Sequence, residues 1–326
     1  MRELNAFEIE RILKESIKEN IKTIKIEKIG ANEKSIWLID TGLNKYVLKE
    51  FSRSKKNSIL RRISRNFYSD SSITFATELF VYTELKYKKF EYFKHPSLLN
   101  YNEDKYMLIE HISGKLGRKK NDNCNNKLAM GILEFNTSGI LFNYYKIFWF
   151  NNIIRKPYFK ILYWSVKEML AKGRISDFLK TNLTLIKCSI MQKKSDKKYI
   201  LHGDLTSNNN LISTDDDDYA IIDFESAYNE KKWILIDIID VAVISINECD
   251  RDIIKRYLDQ IKEKKADDVP INVMAQFRVA LLHRIIPKTF EISGNRKLKE
   301  NKWLVFLREV LLDDKKYEEW YLKNIG

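Results

Sequence analysis

Cysteine, proline and glycine are scarce: the 326 residues include only 3 Cys, 4 Pro and 10 Gly. No Pro- or Ser-rich linker and no internal repeat divides the chain, so one or two domains are expected at this length. Cys124, Cys188 and Cys249 make no CxxC or Cys/His ligand spacing. An odd, scattered set of this kind fits a reducing compartment and buried apolar fillers. No window reaches about 18 uninterrupted apolar residues, so no membrane span is expected. The opening MRELNAFEIERILKESIKEN is charged throughout and lacks an apolar h-region, so no signal peptide is expected either. Together these absences make the cytoplasm the expected location.

What is present is a core and a charge. Hydrophobic residues make up 44% and aromatics 12%, which excludes a disordered chain. The net charge is +13, which favours an anionic partner such as a nucleotide, a phosphorylated glycan, an acidic lipid surface or nucleic acid. Part of the Lys excess accompanies an excess of Asn and Ile, as an AT-rich coding sequence produces. Residues 6–22 space Phe7, Ile9, Ile12, Leu13 and Ile17 at near-helical intervals. IKTIKIEKIG, KSIWLID and KYVLKEF then read as three antiparallel strands. The basic segment RSKKNSILRRISRN follows, then a helix in FATELFVYTELKYKKF and a strand in KYMLIEHIS closed by Gly114. From about residue 120 the pattern is helical, with one interruption.

That interruption is YILHGDLTSNNNLISTDDDDYAIIDFE, Tyr199 to Glu225. It sets one His, seven Asp or Glu and three consecutive Asn among short apolar runs. The polar groups fall at strand ends, where rigid backbone aims side chains. Asp204 follows the first run, Asn209 stands five residues later, and Asp223 follows the last run. A carboxylate placed to accept a hydroxyl proton, with one Asn and one Asp as hard oxygen ligands, suits Mg²⁺ and phosphoryl transfer. Mg²⁺ takes few protein oxygens beside substrate phosphates, so that sparse set is sufficient. Asp215 to Asp218 falls where a hairpin turn belongs and reads as a solvated loop tip.

HGDLTSNNN followed by IIDFE resembles the catalytic and metal-binding loops of the protein-kinase-like fold. The similarity is to the group of aminoglycoside phosphotransferases, choline kinases and lipopolysaccharide core kinases. It implies an α+β, two-lobed architecture with a small antiparallel-sheet N-lobe, residues 1–110, and a larger helical C-lobe, residues 111–326. It also implies that Asp204 is the catalytic base, that Asn209 and Asp223 bind Mg²⁺, and that Asp237 in WILIDIIDVAV props the catalytic loop. Gly203 stands where eukaryotic protein kinases carry Arg, as in small-molecule kinases, which argues against control by activation-loop phosphorylation. Phe224-Glu225 replaces Phe-Gly, as in choline-kinase-like members.

The same resemblance asks for an ATP-binding lobe upstream. Lys49, inside the apolar strand KYVLKEF, matches the strand Lys that contacts the α/β-phosphates. A Lys there is costly without an anionic partner. Glu78 is the helix Glu expected to pair with it, with Glu84 as the rival six residues on. The loop from Ile29 to Ser35 holds one Gly and is a poor glycine-rich loop; backbone N–H groups and the Ser35 hydroxyl are expected to cradle phosphates. No Walker A motif exists anywhere. YMLIEHISG resembles the hinge, so the backbone at Glu110 and Ile112 is expected to meet adenine.

The acceptor is the least legible part. Arg53, Lys55, Lys56, Arg61, Arg62 and Arg65 follow the Lys49 strand, an arrangement similar to kinases of lipopolysaccharide core sugars; a solvated basic loop looks the same. GILFNYYKIFWFNNIIRKPYFKILYW, residues 139–164, is dense in aromatics and reads as core helix, with a membrane interface as the alternative. His95, His111 and His283 are isolated and read as structural. The leading expectation is an ATP- and Mg²⁺-dependent kinase acting on a hydroxyl of a cell-envelope sugar. Peripheral contact with an anionic membrane surface is a further partner that the charge allows. The alternatives are a small-molecule kinase of choline or aminoglycoside type and a non-catalytic nucleotide-binding scaffold. The complete set Lys49, Asp204, Asn209, Asp223 argues against the scaffold. Nucleic acid is disfavoured, because no binding motif accompanies the basic patch.

Overall fold

The structure is a computed structural model that describes residues 4–17, 24–29, 35–51, 71–117, 122–142, 153, 155–205, 210–214, 218–245, 248–264, 270–293 and 302–325. Helix α1 (Ala6–Ser16) opens the chain. Asn5 caps it by accepting from the Glu8 N–H while the Glu8 carboxylate accepts from the Asn5 N–H, which satisfies two otherwise orphaned donors. Strands β1 (Lys25–Lys28), β2 (Ser35–Asp40), β3 (Lys45–Glu50), β4 (Leu98–Asn102) and β5 (Tyr106–Glu110) form one antiparallel sheet in the order β1-β2-β3-β5-β4. Helix α2 (Ser71–Leu85) lies in sequence between β3 and β4.

Period-two alternation gives this sheet two different faces. Ile39, Tyr46, Leu48 and Leu108 pack under Ile9, Ile12 and Leu13 of α1 in a separate small core. The opposite face carries Val47, Lys49, Met107 and Ile109, and its apolar members join the main core with Phe51, Phe75 and Leu79. That main core continues without a break into the helical part of the molecule. α1 therefore shields one face of the sheet, and Lys49 is turned to the other, against the rest of the chain.

Beyond β5 come β6 (Lys115–Leu116), α3 (Asp122–Asn136), α4 (Pro157–Lys172) and α5 (Ile175–Met191). Next are β7 (Tyr199–Leu201), β8 (Leu211–Ser213), β9 (Tyr219–Ile221) and β10 (Tyr228–Glu230). The chain ends with α6 (Ile236–Ala242), α7 (Arg251–Glu263), α8 (Val273–Ser293), α9 (Lys302–Phe306) and α10 (Asp314–Asn324). β8 and β9 are the antiparallel hairpin read from the sequence, and β6 joins its edge; β10 pairs with β7. The α+β class, small antiparallel sheet and larger helical part are as expected. Two helices are shorter than the pattern suggested: α1 ends at Ser16 and α2 at Leu85. Strands β4, β6 and β10 have no counterpart in the sequence reading. β6 and β10 are too short to show a period, and each is fixed by a partner far away in sequence.

Candidate active site

The site is built around one lysine. Lys49 Nζ donates to Glu78 Oε1 at 2.5 Å and to Asp223 Oδ1 at 3.1 Å, joining β3, α2 and the end of β9. Glu78 is only 3% exposed and Lys49 17%, so this pairing takes place largely out of water. Burial alone would discharge the ammonium, but the two carboxylates overcome it and hold the Lys49 pKa above its ordinary value. Glu84, the rival, makes no ion pair among the described residues.

Asp223 is aimed by its neighbours on both sides. It follows β9, and Phe224 after it is fully buried, with ring centroids 5.1 Å from Tyr82, 5.3 Å from Phe135 and 5.3 Å from His202. Asp223 itself takes φ 65°, ψ 62°, and among the described residues no other non-glycine has positive φ. Asp tolerates this left-handed conformation better than most residues, and such strain persists only where the surroundings over-determine it. The anchored Phe224 supplies that restraint.

Asp204 stands on the loop after β7, exposed, and its backbone carbonyl accepts from Asn210 Nδ2 at 2.7 Å. The loop is tied from below by Asp237, which is fully buried on α6. Asp237 Oδ2 accepts from the His202 N–H at 2.7 Å and from Asn136 Nδ2 at 2.9 Å; Oδ1 accepts from the Gly203 N–H at 3.0 Å. Burial raises the Asp237 pKa, against the opposing pull of His202 and these donors. Gly203 is required here. Its φ is +77°, and a Cβ would lie 2.6 Å from the Ser226 carbonyl oxygen, so no side chain fits. His202, also buried, meets the Ile222 carbonyl oxygen through Nε2 at 2.9 Å, which links the Asp204 loop to the approach to Asp223. Asp237→Ala leaves two buried backbone N–H groups without partners, at about 1–3 kcal/mol each. A urea unfolding midpoint well below wild type is the expected result, and an unchanged midpoint would contradict the prop.

Other expected residues fare differently. Asn209 lies outside the described residues, as do 30–34 of the phosphate loop and the basic segment from Arg53 to Arg65. Ser35 needs correction. The register pairs Ser35 with Glu50 and Ile36 with Lys49, so Ser35 lies on the α1 face, away from Lys49. A one-residue step along a strand reverses the face, and the hydroxyl is not where phosphates beside Lys49 would be. At the end of β5, where adenine was expected, the Glu110 N–H donates to the Ser97 carbonyl and the His111 N–H to the Lys45 carbonyl. Glu110 therefore has only its carbonyl to offer a base, while the Ile112 N–H is uncommitted among the described residues. The Glu110 carboxylate turns outward, accepting from Ser97 Oγ at 3.0 Å and lining a cavity of about 560 Å³ with Tyr46 and His111. Tyr46 belongs to the α1 face, so this cavity is not the space beside Lys49. Asp218 is no solvated tip: it pairs with Lys127 at 2.6 Å and with Lys94.

Two participants escaped the sequence reading. Asn136 is fully buried on α3, donating to the Ile200 carbonyl and to Asp237, and accepting from the Tyr257 hydroxyl at 2.7 Å. Nothing in its helical stretch marks it. Asp240, one turn beyond Asp237, is visible as a second acid in an apolar run. It is buried, and its Oδ1 has no hydrogen-bond partner. Burial pushes its carboxyl up to about 7, with Asp204 and Asp237 adding to the rise and Arg284 and Lys160 acting against it. The folded state thus holds this proton more tightly than the unfolded chain. Stability falls as pH rises from the ordinary carboxylate range to about 7, then levels off. Asp240→Asn is expected to remove that decline, a gain at about pH 8 on the order of 4 kcal/mol as an upper bound. Urea midpoints that differ equally at low and high pH would contradict it.

No family model matches the chain, and no curated protein matches it in sequence. Solved structures do match in shape. An aminoglycoside phosphotransferase, APH(2'')-Ib bound to ADP, aligns with a TM-score of 0.57 at 16% identity, over 95% of this chain and 97% of that one. An ethanolamine kinase of Plasmodium vivax gives a TM-score of 0.59 at 12% identity over 94% and 87% of the two chains. The fold is protein-kinase-like, as in these solved phosphotransferases and kinases. A choline kinase of Cryptosporidium parvum agrees, with a TM-score of 0.56 at 11% identity over 98% and 95%. The match runs nearly end to end in each case, so the sheet with Lys49 and the helical part with Asp204 and Asp223 belong to one shared architecture.

Proposed function

We propose that this protein is an ATP- and Mg²⁺-dependent phosphotransferase that acts on a hydroxyl group. The observation that carries this reading is Lys49 Nζ held between Glu78 and Asp223, beside a loop on which Asp204 stands exposed. A cation fixed by two carboxylates keeps its charge and its direction, and so presents a preset donor to phosphate oxygens. Asp223 suits a hard cation: its carboxylate is 33% exposed, its backbone is fixed, and one oxygen already faces Lys49. Asp223 and Asn209 are the residues that would hold Mg²⁺, which when bound supplies charge neutralisation at the phosphates. Asp204 accepts the proton of the attacking hydroxyl, and Asp237 keeps its loop in place. The Glu110 carbonyl and the Ile112 N–H offer adenine one acceptor and one donor. The shape match to an ADP-bound phosphotransferase supports ATP as the donor.

For the acceptor, we propose a sugar hydroxyl of the cell envelope, a reading supported by the +13 charge, which suits a phosphorylated glycan. A second reading, an amino alcohol or aminoglycoside, is favoured by the matches to ethanolamine kinase, choline kinase and gentamicin-bound APH(2'')-IIa. The test is Mg·ATP turnover against a panel of choline, ethanolamine, aminoglycosides and phosphorylated core sugars. Turnover with the sugars alone supports the first reading and turnover with the amines the second. Failure to bind Mg·ATP would overturn the proposal as a whole.

A further inference from the structure

Helix α5, joined to α4 through Gly173 in the left-handed conformation, turns most of its large aliphatics to water. The side of α5 turned to the protein holds Thr181, Thr184, Leu185 and Cys188. The side turned to water holds Ile175, Leu179, Leu183, Ile186 and Ile190, each between 49% and 79% exposed. Their spacing of four, four, three and four residues puts them in one stripe about 22 Å long. Only Leu185 among the large aliphatics faces inward, beside two threonines and a cysteine, while five face water; a patch of this kind marks a contact with something apolar.

The charges beside the stripe say what. Lys180 and Lys187, seven residues apart, lie together along one flank, and Lys193 and Lys194 follow the helix end, exposed. The other flank carries Asn182 and Ser189, uncharged. The nearby carboxylates are already engaged: Asp177 with Arg308 at 2.7 Å, and Asp314 with Arg278 at 2.7 Å and with Lys187. Lys187 is met by Asp314, but self-association through α5 would set Lys180, Lys193 and Lys194 against like charges or against Asn182 and Ser189, with no anion to meet them. A lipid surface of negative charge satisfies both features, taking the aliphatic stripe into its acyl boundary and meeting the lysine ammonium groups with phosphates.

We propose that the exposed face of α5 docks the protein peripherally on an anionic lipid surface. This goes beyond the phosphotransferase reading and does not depend on it. Nothing crosses the bilayer in this arrangement: no helix among the described residues is long and apolar enough to do so.

The test is co-flotation of the full chain with vesicles of phosphatidylglycerol and phosphatidylcholine, and with phosphatidylcholine alone. Binding to the mixed vesicles, weakened by salt and at least about tenfold weaker without the anionic lipid, is expected. Leu183→Glu places a carboxylate in the stripe and is expected to remove binding; Lys180→Glu is expected to weaken it by about tenfold or less. Both positions are exposed, so unchanged unfolding midpoints serve as the folding control. Equal binding to both vesicle types, binding that survives Leu183→Glu, or no binding at all would overturn the proposal. So would a dimer in sedimentation that Leu183→Glu converts to monomer, because the stripe would then be an interface between copies.

Discussion

Asp204→Asn lowers turnover by about 10²-fold or more while leaving the affinity for Mg·ATP close to wild type. The magnitude is that of lost general-base catalysis, since the amide cannot take the hydroxyl proton. The structure makes the substitution clean. Asp204 is exposed, its loop is fixed by Asp237 through the His202 and Gly203 N–H groups, and the bond from Asn210 goes to its backbone carbonyl. None of these contacts uses the Asp204 carboxylate, so fold and loop position survive the change. The loss belongs in kcat, with KM for ATP little moved. A variant with near wild-type turnover would remove Asp204 from the chemistry.

The second large effect is at Asp223. Asp223→Ala abolishes the stabilisation that Mg·ATP gives the wild-type protein, because one carboxylate is a large share of a sparse coordination shell. The same change frees Lys49 from one of its two anions and puts Ala in a left-handed backbone, so part of its effect falls on the fold. Asp223→Asn separates the two. Asn accepts that conformation readily but brings no charge to the metal. Its unfolding midpoint without ligand lies between those of wild type and Asp223→Ala, because only the charge beside Lys49 is lost, while the shift produced by Mg·ATP disappears. Equal Mg·ATP shifts in wild type and Asp223→Asn would show that the carboxylate holds no metal.

The residues of the candidate site were legible because their types and offsets are unusual. A Lys inside an apolar strand, a His-Gly-Asp at a strand end and an Asp after the next hairpin have few uses in common. The joining of Lys49, Glu78 and Asp223 at one place follows from elements that were clear in the sequence. What failed did so for physical reasons. Ser35 was placed by proximity in sequence to the phosphate loop, but side-chain direction in a strand depends on register, and one residue decides it. Strand β4, LLNYN, pairs with β5 across a bulge and looks too polar to read as a strand on its own. Asn136 and Asp240 sit in helical runs whose period speaks only of burial. Asn136 gains its role from contacts with β7 and Asp237, and Asp240 its raised pKa from the packing around α6, which no local pattern encodes. The outward stripe of α5 carries a normal helical period, and only the packed structure tells which side faces water.

Phosphoryl transfer through Asp204 is measured as transfer of label from γ-labelled ATP to a hydroxyl acceptor, by wild type and by Asp204→Asn. The measurement is made with the acceptor panel, with and without Mg²⁺, at saturating ATP. The expected result is a labelled phosphate monoester formed by wild type only with Mg²⁺, and about 10²-fold less or lower still from the variant. Transfer at equal rates by the two proteins, or transfer indifferent to Mg²⁺, would contradict the account.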